Sequence, residues 1–243
     1  MSAQRKDQGR RLAAPDIAAR KGKEPVVCLT AYTAPMAEIL DEACDLLLVG
    51  DSVGMVLHGL PNTVGVTLDM MILHAQAVMR GSKRAMVVVD MPFGSYEGGN
   101  ELAYANACRV MKETGAQGVK VESGPTVPQT IAYLTQRGIP VMGHVGLRPQ
   151  AVLMEGAFKA KGRKDGDRER VLADARVGCG AGVFAIVIEG VAEDMLGLFD
   201  WAPKFVRRYA DLKTEIAGAV KAYADDVRAR KFPGEAETYF GKG

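Results

Sequence analysis

The 243-residue sequence predicts an α/β fold, a single (β/α)8 TIM barrel domain spanning residues 1–243, on three observations. Short apolar runs alternate with longer amphipathic segments, the pattern of buried parallel strands and their covering helices. The connections are mostly short, which suits a sheet wound in one direction. Polar residues able to do chemistry stand at nearly every strand end. A barrel gathers those ends around one mouth, whereas an open doubly wound sheet uses mainly one switch point.

The elements follow in order. Residues 1–24 are polar, with Arg5, Lys6, Arg10, Arg11, Arg20, Lys21 and Lys23, and read as a solvated arm with a first helix around Pro15 to Arg20. The arm lacks the apolar core of a secretory signal, and Asp7, Asp16 and Glu24 argue against a transit peptide. Val26 to Ala31 is the first strand, and Pro35 to Cys44 a short amphipathic helix. Leu46 to Gly50 is the second strand, running into Asp51 and Ser52. A loop punctuated by Gly54, Gly59, Pro61, Asn62 and Gly65 leads to a helix over Thr67 to Arg80, with Thr67 as N-cap. The third strand is Ala85 to Val89, and the next helix, Asn100 to Thr114, stops at Gly115. The fourth strand is Gly118 to Ser123, followed by a helix from Val127 to Arg137. The fifth is Pro140 to Val145, with a Lys- and Gly-rich loop after it. A helix over Asp167 to Cys179 and a sixth strand, Val183 to Ile188, complete the run. A charged helix is expected over 211–231. No further strand is legible after Glu189, so the last two strands of the barrel are missing from the sequence.

Composition narrows the function. Thirty-one basic against 29 acidic residues give a net charge of +2, with no reason to expect nucleic acid or an anionic membrane as partner. No apolar stretch reaches the roughly 18 to 20 residues of a membrane helix. Cys28, Cys44, Cys108 and Cys179 form no CxxC pair and read as reduced, buried small hydrophobes of a cytoplasmic protein.

The strand ends carry Asp51 and Ser52, Asp90, Lys120 and Glu122, His144, and Glu189. Lys120 and Glu122 are two apart and share one side of their strand, with Val119 and Val121 on the other. An ammonium and a carboxylate inside the mouth need partners. Asp51, Asp90 and Glu122 make an all-oxygen carboxylate cluster that a hard divalent cation would relieve, with Mg²⁺ the natural candidate. Each residue taken alone also has a structural reading: a turn cap for Asp51, a turn acid for Asp90 or Glu189, an ion pair for Lys120 with Glu122, a core histidine for His144. Their convergence at consecutive strand ends favours a site. His58 and His74 lie in a loop and on a helix, and read as structural.

These residues carry a resemblance. The runs Leu29-Thr30-Ala31-Tyr32, Leu48 to Met55 (LVGDSVGM), Val89 to Phe93 (VDMPF), Val119 to Glu122 (VKVE), Gly143 to Gln150 (GHVGLRPQ) and Ile188-Glu189-Gly190-Val191 are similar to those of the ketopantoate hydroxymethyltransferase family, among the phosphoenolpyruvate-mutase-like barrels. Asp194 to Gly197 and Pro203-Lys204-Phe205 extend the likeness. The resemblance implies transfer of a hydroxymethyl group from 5,10-methylenetetrahydrofolate to 3-methyl-2-oxobutanoate, giving 2-dehydropantoate for pantothenate and coenzyme A. It implies Mg²⁺ held by Asp51 and Asp90 with Glu122 beside it. Ser52 and Lys120 would hold the oxoacid, His144 would line the pocket and Glu189 would be the base. It also implies a homodecamer. The chemistry agrees: a 2-oxoacid chelates Mg²⁺, which stabilises the enolate formed when C3 loses its proton.

The sequence departs from the family at Thr33, where Asp is usual, and at Val191 to Asp194. There a helix, a strand with a Gly-Ile-Gly-Ala-like run and a further strand are absent, roughly 30 to 40 residues. We expect a gap joined in the sequence at this point. A real deletion would leave a non-catalytic scaffold. Another Mg²⁺-dependent oxoacid lyase or mutase is the remaining alternative. Such enzymes commonly use a Cys in a mobile loop, and Gly124-Pro125-Thr126 has none.

Overall fold

The computed structural model describes residues 10–124, 127–156, 165–189, 211–229 and 231. The chain forms two compact units, Met1–Glu189 and Gly190–Gly243. The break expected between Val191 and Asp194 lies outside the described residues, as does most of the Lys- and Gly-rich loop.

In the first unit six strands, β1 (Cys28–Thr30), β2 (Leu46–Val49), β3 (Met86–Asp90), β4 (Gly118–Glu122), β5 (Val141–Val145) and β6 (Ala185–Ile188), form one sheet in the order 1-2-3-4-5-6. All five pairings are parallel. Sequential order leaves no switch point, which separates this sheet from a doubly wound one. The helices are α1 (Ala14–Ala18), α2 (Ala34–Asp41), α3 (Val53–Val56), α4 (Leu68–Gly81), α5 (Asn100–Thr114), α6 (Val127–Thr135), α7 (Val152–Glu155) and α8 (Asp165–Gly180). Thr67 caps α4 as expected, accepting from the Met70 N–H at 3.2 Å. Gly115 ends α5 in the left-handed region at φ 78°, where a side chain would be strained. Two expected loops hold short helices: α3 after β2, and a 3₁₀ turn, Pro149–Ala151, running into α7 after β5.

The two faces of the sheet differ. Leu47, Val49, Val87, Val89, Val119, Val121 and Val141 pack with the helices in the larger core cluster. Leu46, Met86, Val88 and Met142 meet Ala14 and Ile17 of α1 in a smaller cluster on the inner face. The alternation thus sends Lys120 and Glu122 inward, as their spacing predicts. The cysteines depart from expectation. Cys44 is buried and Cys108 half-buried, but Cys28 and Cys179 are exposed, Cys28 at the start of the edge strand β1 and Cys179 near the end of α8.

Gly81 closes α4 against α2. A Cβ there would lie 2.1 Å from the Ala34 carbonyl oxygen, a backbone atom that cannot swing aside. Gly81→Ala should therefore cost about 2 kcal/mol and lower Tm by roughly 5 °C in a thermal melt. An unchanged Tm would show that α2 gives way freely.

The described part of the second unit contains the helix α9 (Leu212–Arg228), within the expected 211–231. Asp211 caps it, accepting from the Thr214 hydroxyl at 2.8 Å and N–H at 3.3 Å.

Candidate active site

Parallel register decides which strand-end side chains meet. Asp90 on β3 is aligned with Lys120 on β4, and Glu122 on β4 with His144 on β5. Asp51 follows β2, and its N–H donates to Asp90 Oδ2 at 3.1 Å. Ser52 comes next, with Oγ 2.7 Å from the Tyr32 hydroxyl. Lys120 Nζ lies 2.5 Å from Asp90 Oδ1. The two make a close, buried ion pair. The structural alternative, an ion pair of Lys120 with Glu122, gives way to one with Asp90. The two acids compete for one ammonium, and the register brings Asp90 nearer.

His144 is neutral. Lys120 Nζ is 3.3 Å from His144 Nδ1, and an ammonium only donates, so Nδ1 accepts. Nε2 then carries the proton and donates to the Leu147 carbonyl at 2.6 Å. Burial, reinforced by Lys120, draws the imidazole down to about 3. Its approaches to Glu122 (4.0 Å) and Glu189 (3.8 Å) are therefore not ion pairs. All seven expected residues, Asp51, Ser52, Asp90, Lys120, Glu122, His144 and Glu189, stand at these consecutive strand ends. His58 and His74 do not join them. Their Nε2 atoms lie 2.9 Å apart, and His74 Nδ1 bonds the Tyr32 carbonyl.

Charge separates the mouth from the other acids of the unit. Asp41 is also largely buried. Burial would push it up, but bonds from the Ser82 hydroxyl and the N–H groups of Ala85, Lys83 and Arg84 outweigh that and hold it low. Asp45 is held by the two terminal guanidinium nitrogens of Arg20 at 2.9 and 3.0 Å. At the mouth the balance reverses. Burial, and then Asp90, push Asp51 up to about 6. Burial raises Asp90, Glu122 to about 8 and Glu189 to about 7, despite the pull of Lys120 on each. Lys120 is raised against its own burial by Asp90, Asp51 and Glu122. Glu122 Oε1 and Glu189 Oε2 are buried with no hydrogen-bond partner among the described residues. Buried acids left this way mark a functional site rather than a structural one.

The donor set fits a hard cation. Among the described residues no three His, Cys, Asp or Glu side chains form a ready metal cage. Mg²⁺ needs none, because it keeps several waters and binds through one or two carboxylates plus substrate oxygens. The oxygen-only donors Asp51, Asp90 and Glu122, with Glu122 Oε1 buried and without a hydrogen-bond partner among the described residues, meet that requirement.

Two residues at this mouth escaped the reading of the sequence. Gln150 Nε2 donates to Asp51 Oδ2 at 2.8 Å, and the Tyr96 hydroxyl donates to Gln150 Oε1 at 2.7 Å. Both sit in loops. Their only sequence signal was position: Gln150 closes the Gly143 to Gln150 run, and Tyr96 follows Pro92-Phe93.

Fold and mouth define a class, α/β proteins that work at the C-terminal ends of a sequential parallel sheet. Solved structures share the fold. A 2,3-dimethylmalate lyase described as a PEP mutase/isocitrate lyase superfamily member aligns with TM-score 0.57 and 15% identity over 93% of this chain and 87% of its own. A phosphonopyruvate hydrolase in complex with oxalate and Mg²⁺ aligns with TM-score 0.57 and 13% identity, over 94% and 92%. Within that class the assignment is specific. The model of the ketopantoate hydroxymethyltransferase family matches residues 11–194 and 191–235. The 3-methyl-2-oxobutanoate hydroxymethyltransferase of Caulobacter vibrioides is 68% identical over 273 aligned positions, covering 100% of this chain and 99% of that protein. The chain belongs to the ketopantoate hydroxymethyltransferase family and is an enzyme that transfers a hydroxymethyl group. Against 273 aligned positions it has 243 residues, so 30 positions have no residue here.

Proposed function

We propose that the enzyme transfers a hydroxymethyl group from 5,10-methylenetetrahydrofolate to 3-methyl-2-oxobutanoate, forming 2-dehydropantoate for pantothenate and coenzyme A, with Mg²⁺ at the mouth. One observation carries the reading: Glu189, raised to about 7, has a free buried oxygen at the same mouth as the Asp51, Asp90, Lys120 and Glu122 cluster. Glu189 takes the C3 proton of the oxoacid. Lys120 and Ser52 hold the oxo and carboxylate oxygens, and neutral His144 walls the pocket and keeps Lys120 in place. Asp51, Asp90 and Glu122 would hold Mg²⁺, which as a Lewis acid supplies charge stabilisation at the substrate oxygens.

The same reading makes the protein a cytoplasmic homodecamer of one barrel domain per chain. Among the described residues no helix is long and apolar enough to cross a membrane. We further propose that the sequence joins across a gap between Val191 and Asp194, where two strands that close the barrel belong. Two findings support a segment absent at this point relative to the family: the family model matches in two parts meeting at residues 191–194, and 30 aligned positions lack a residue. An intact mass clearly above 26.0 kDa for the natural protein is expected, and a mass of 26.0 kDa would make the deletion real.

The activity test is product formation from the two substrates with Mg²⁺. A chelator should abolish it and added Mg²⁺ restore it. Asp51→Ala should lose activity by about 10³-fold, and weaken Mg²⁺ binding in calorimetry by at least about 100-fold. Full activity in the presence of chelator would remove the metal from the reading.

A further inference from the structure

Gln150 is buried at 6% exposure and lies 99 residues from Asp51 in sequence, carried to the mouth by the loop after β5. Its amide is fully used. Nε2 donates to Asp51 Oδ2 at 2.8 Å and to the Met91 carbonyl at 2.9 Å. A carbonyl only accepts, so the amide can point only one way. Oε1 therefore faces Tyr96, whose hydroxyl donates to it at 2.7 Å. The Tyr96 oxygen in turn accepts from the Glu122 N–H at 3.3 Å. Finally, the Gln150 backbone N–H donates to Glu122 Oε2 at 3.2 Å. One residue thus ties the ends of β2, β3 and β4 together.

We propose that Gln150, held by Tyr96, is a positioning residue that sets the carboxylates of Asp51 and Glu122 for a divalent cation. The inference rests on the metal reading above. Three features argue for it. Gln150 occupies one oxygen of each carboxylate, and the second oxygen of Glu122 is left buried without a partner among the described residues. The side-chain amide orients Asp51, and the backbone N–H orients Glu122, without neutralising either, so neither competes with a cation as an Arg or Lys would. The Met91 carbonyl and Tyr96 leave it no second orientation, so the acids are arranged before any cation arrives.

The test uses Mn²⁺ as probe and reads its affinity from the free-ion resonance in electron paramagnetic resonance, on the whole protein. Gln150→Met keeps the length, removes the amide that holds Asp51 and leaves the backbone N–H on Glu122 in place. It should weaken Mn²⁺ binding by about 10- to 100-fold, as loss of a group that orients metal ligands does, with kcat recovered at saturating metal and the oxoacid KM nearly unchanged. Tyr96→Phe removes only the hydroxyl that fixes Oε1 and should weaken Mn²⁺ binding in the same direction by a smaller factor. If Gln150→Met does not fold, Tyr96→Phe decides alone. Mn²⁺ affinity within about twofold of wild type in the folded variants would overturn the inference, as would a kcat loss that saturating metal does not recover. Failure of the wild-type protein itself to bind Mn²⁺ would overturn the metal reading, and this inference with it.

Discussion

Glu189→Gln is expected to abolish exchange of the C3 proton of 3-methyl-2-oxobutanoate with solvent deuterium, by about 10³-fold in an NMR assay, because a positioned general base contributes roughly 10²- to 10⁴-fold. The amide keeps the shape and cannot accept a proton, so binding of the oxoacid in equilibrium dialysis should survive. The wild-type profile follows from the environment. Burial raises Glu189 to about 7, with Asp51 and Asp90 adding to the rise and Lys120 opposing it. A base must be ionised to act, so exchange should rise with pH toward about 7 and level off above it. A cation neutralising Asp51 and Asp90 removes their part of the rise, so the loaded enzyme should turn at that value or below. The glutamine variant should show no such inflection. Exchange retained within about tenfold would take Glu189 out of the base role.

Lys120→Met is expected to have the largest effect on stability. Lys120 and Asp90 are both buried, 2.5 Å apart, and Asp51 and Glu122 draw on the same ammonium. Removing one member of a buried pair leaves an uncompensated charge and costs about 3–5 kcal/mol. In a chain of this length that is a fall in Tm of about 10 °C. His144 loses the donor to its Nδ1 as well, so exchange should also be lost. The pH dependence has a definite sign. Asp51 and Asp90 are already raised in the fold, and loss of Lys120 raises them further. An acid whose folded value lies above its unfolded value stabilises the fold below the unfolded value. That contribution is lost as pH rises through the folded value. The deficit should therefore be larger at about pH 8 than at about pH 5. A Tm within about 2 °C of wild type at both would mean that the pair contributes nothing to stability.

Much of this was legible in the chain. The six strands and the helices between them could be read, because burial of both sheet faces leaves unbroken apolar runs such as Leu46 to Val49 and Met86 to Val89. The alternation of Val119, Lys120, Val121 and Glu122 told which pair faces inward. Helix ends were readable where a local device sets them, as at Thr67 and Gly115. The cysteines were less legible: a thiol is small enough for either environment, and a helix end leaves it in water, as at Cys179.

The sequence by itself determined the order of the elements and which residues stand at the strand ends, since both follow from local periodicity and chain direction. Only the tertiary structure decided how those residues pair. Register set Lys120 beside Asp90 rather than on Glu122, and it arises from contacts between strands that share no local pattern. Packing decided that Asp41 is low while Asp51 is high, because the number of N–H groups reaching a buried carboxylate depends on the loop folded around it. The loop after β5 carries Gln150 back to Asp51, a contact across 99 residues that no periodicity encodes.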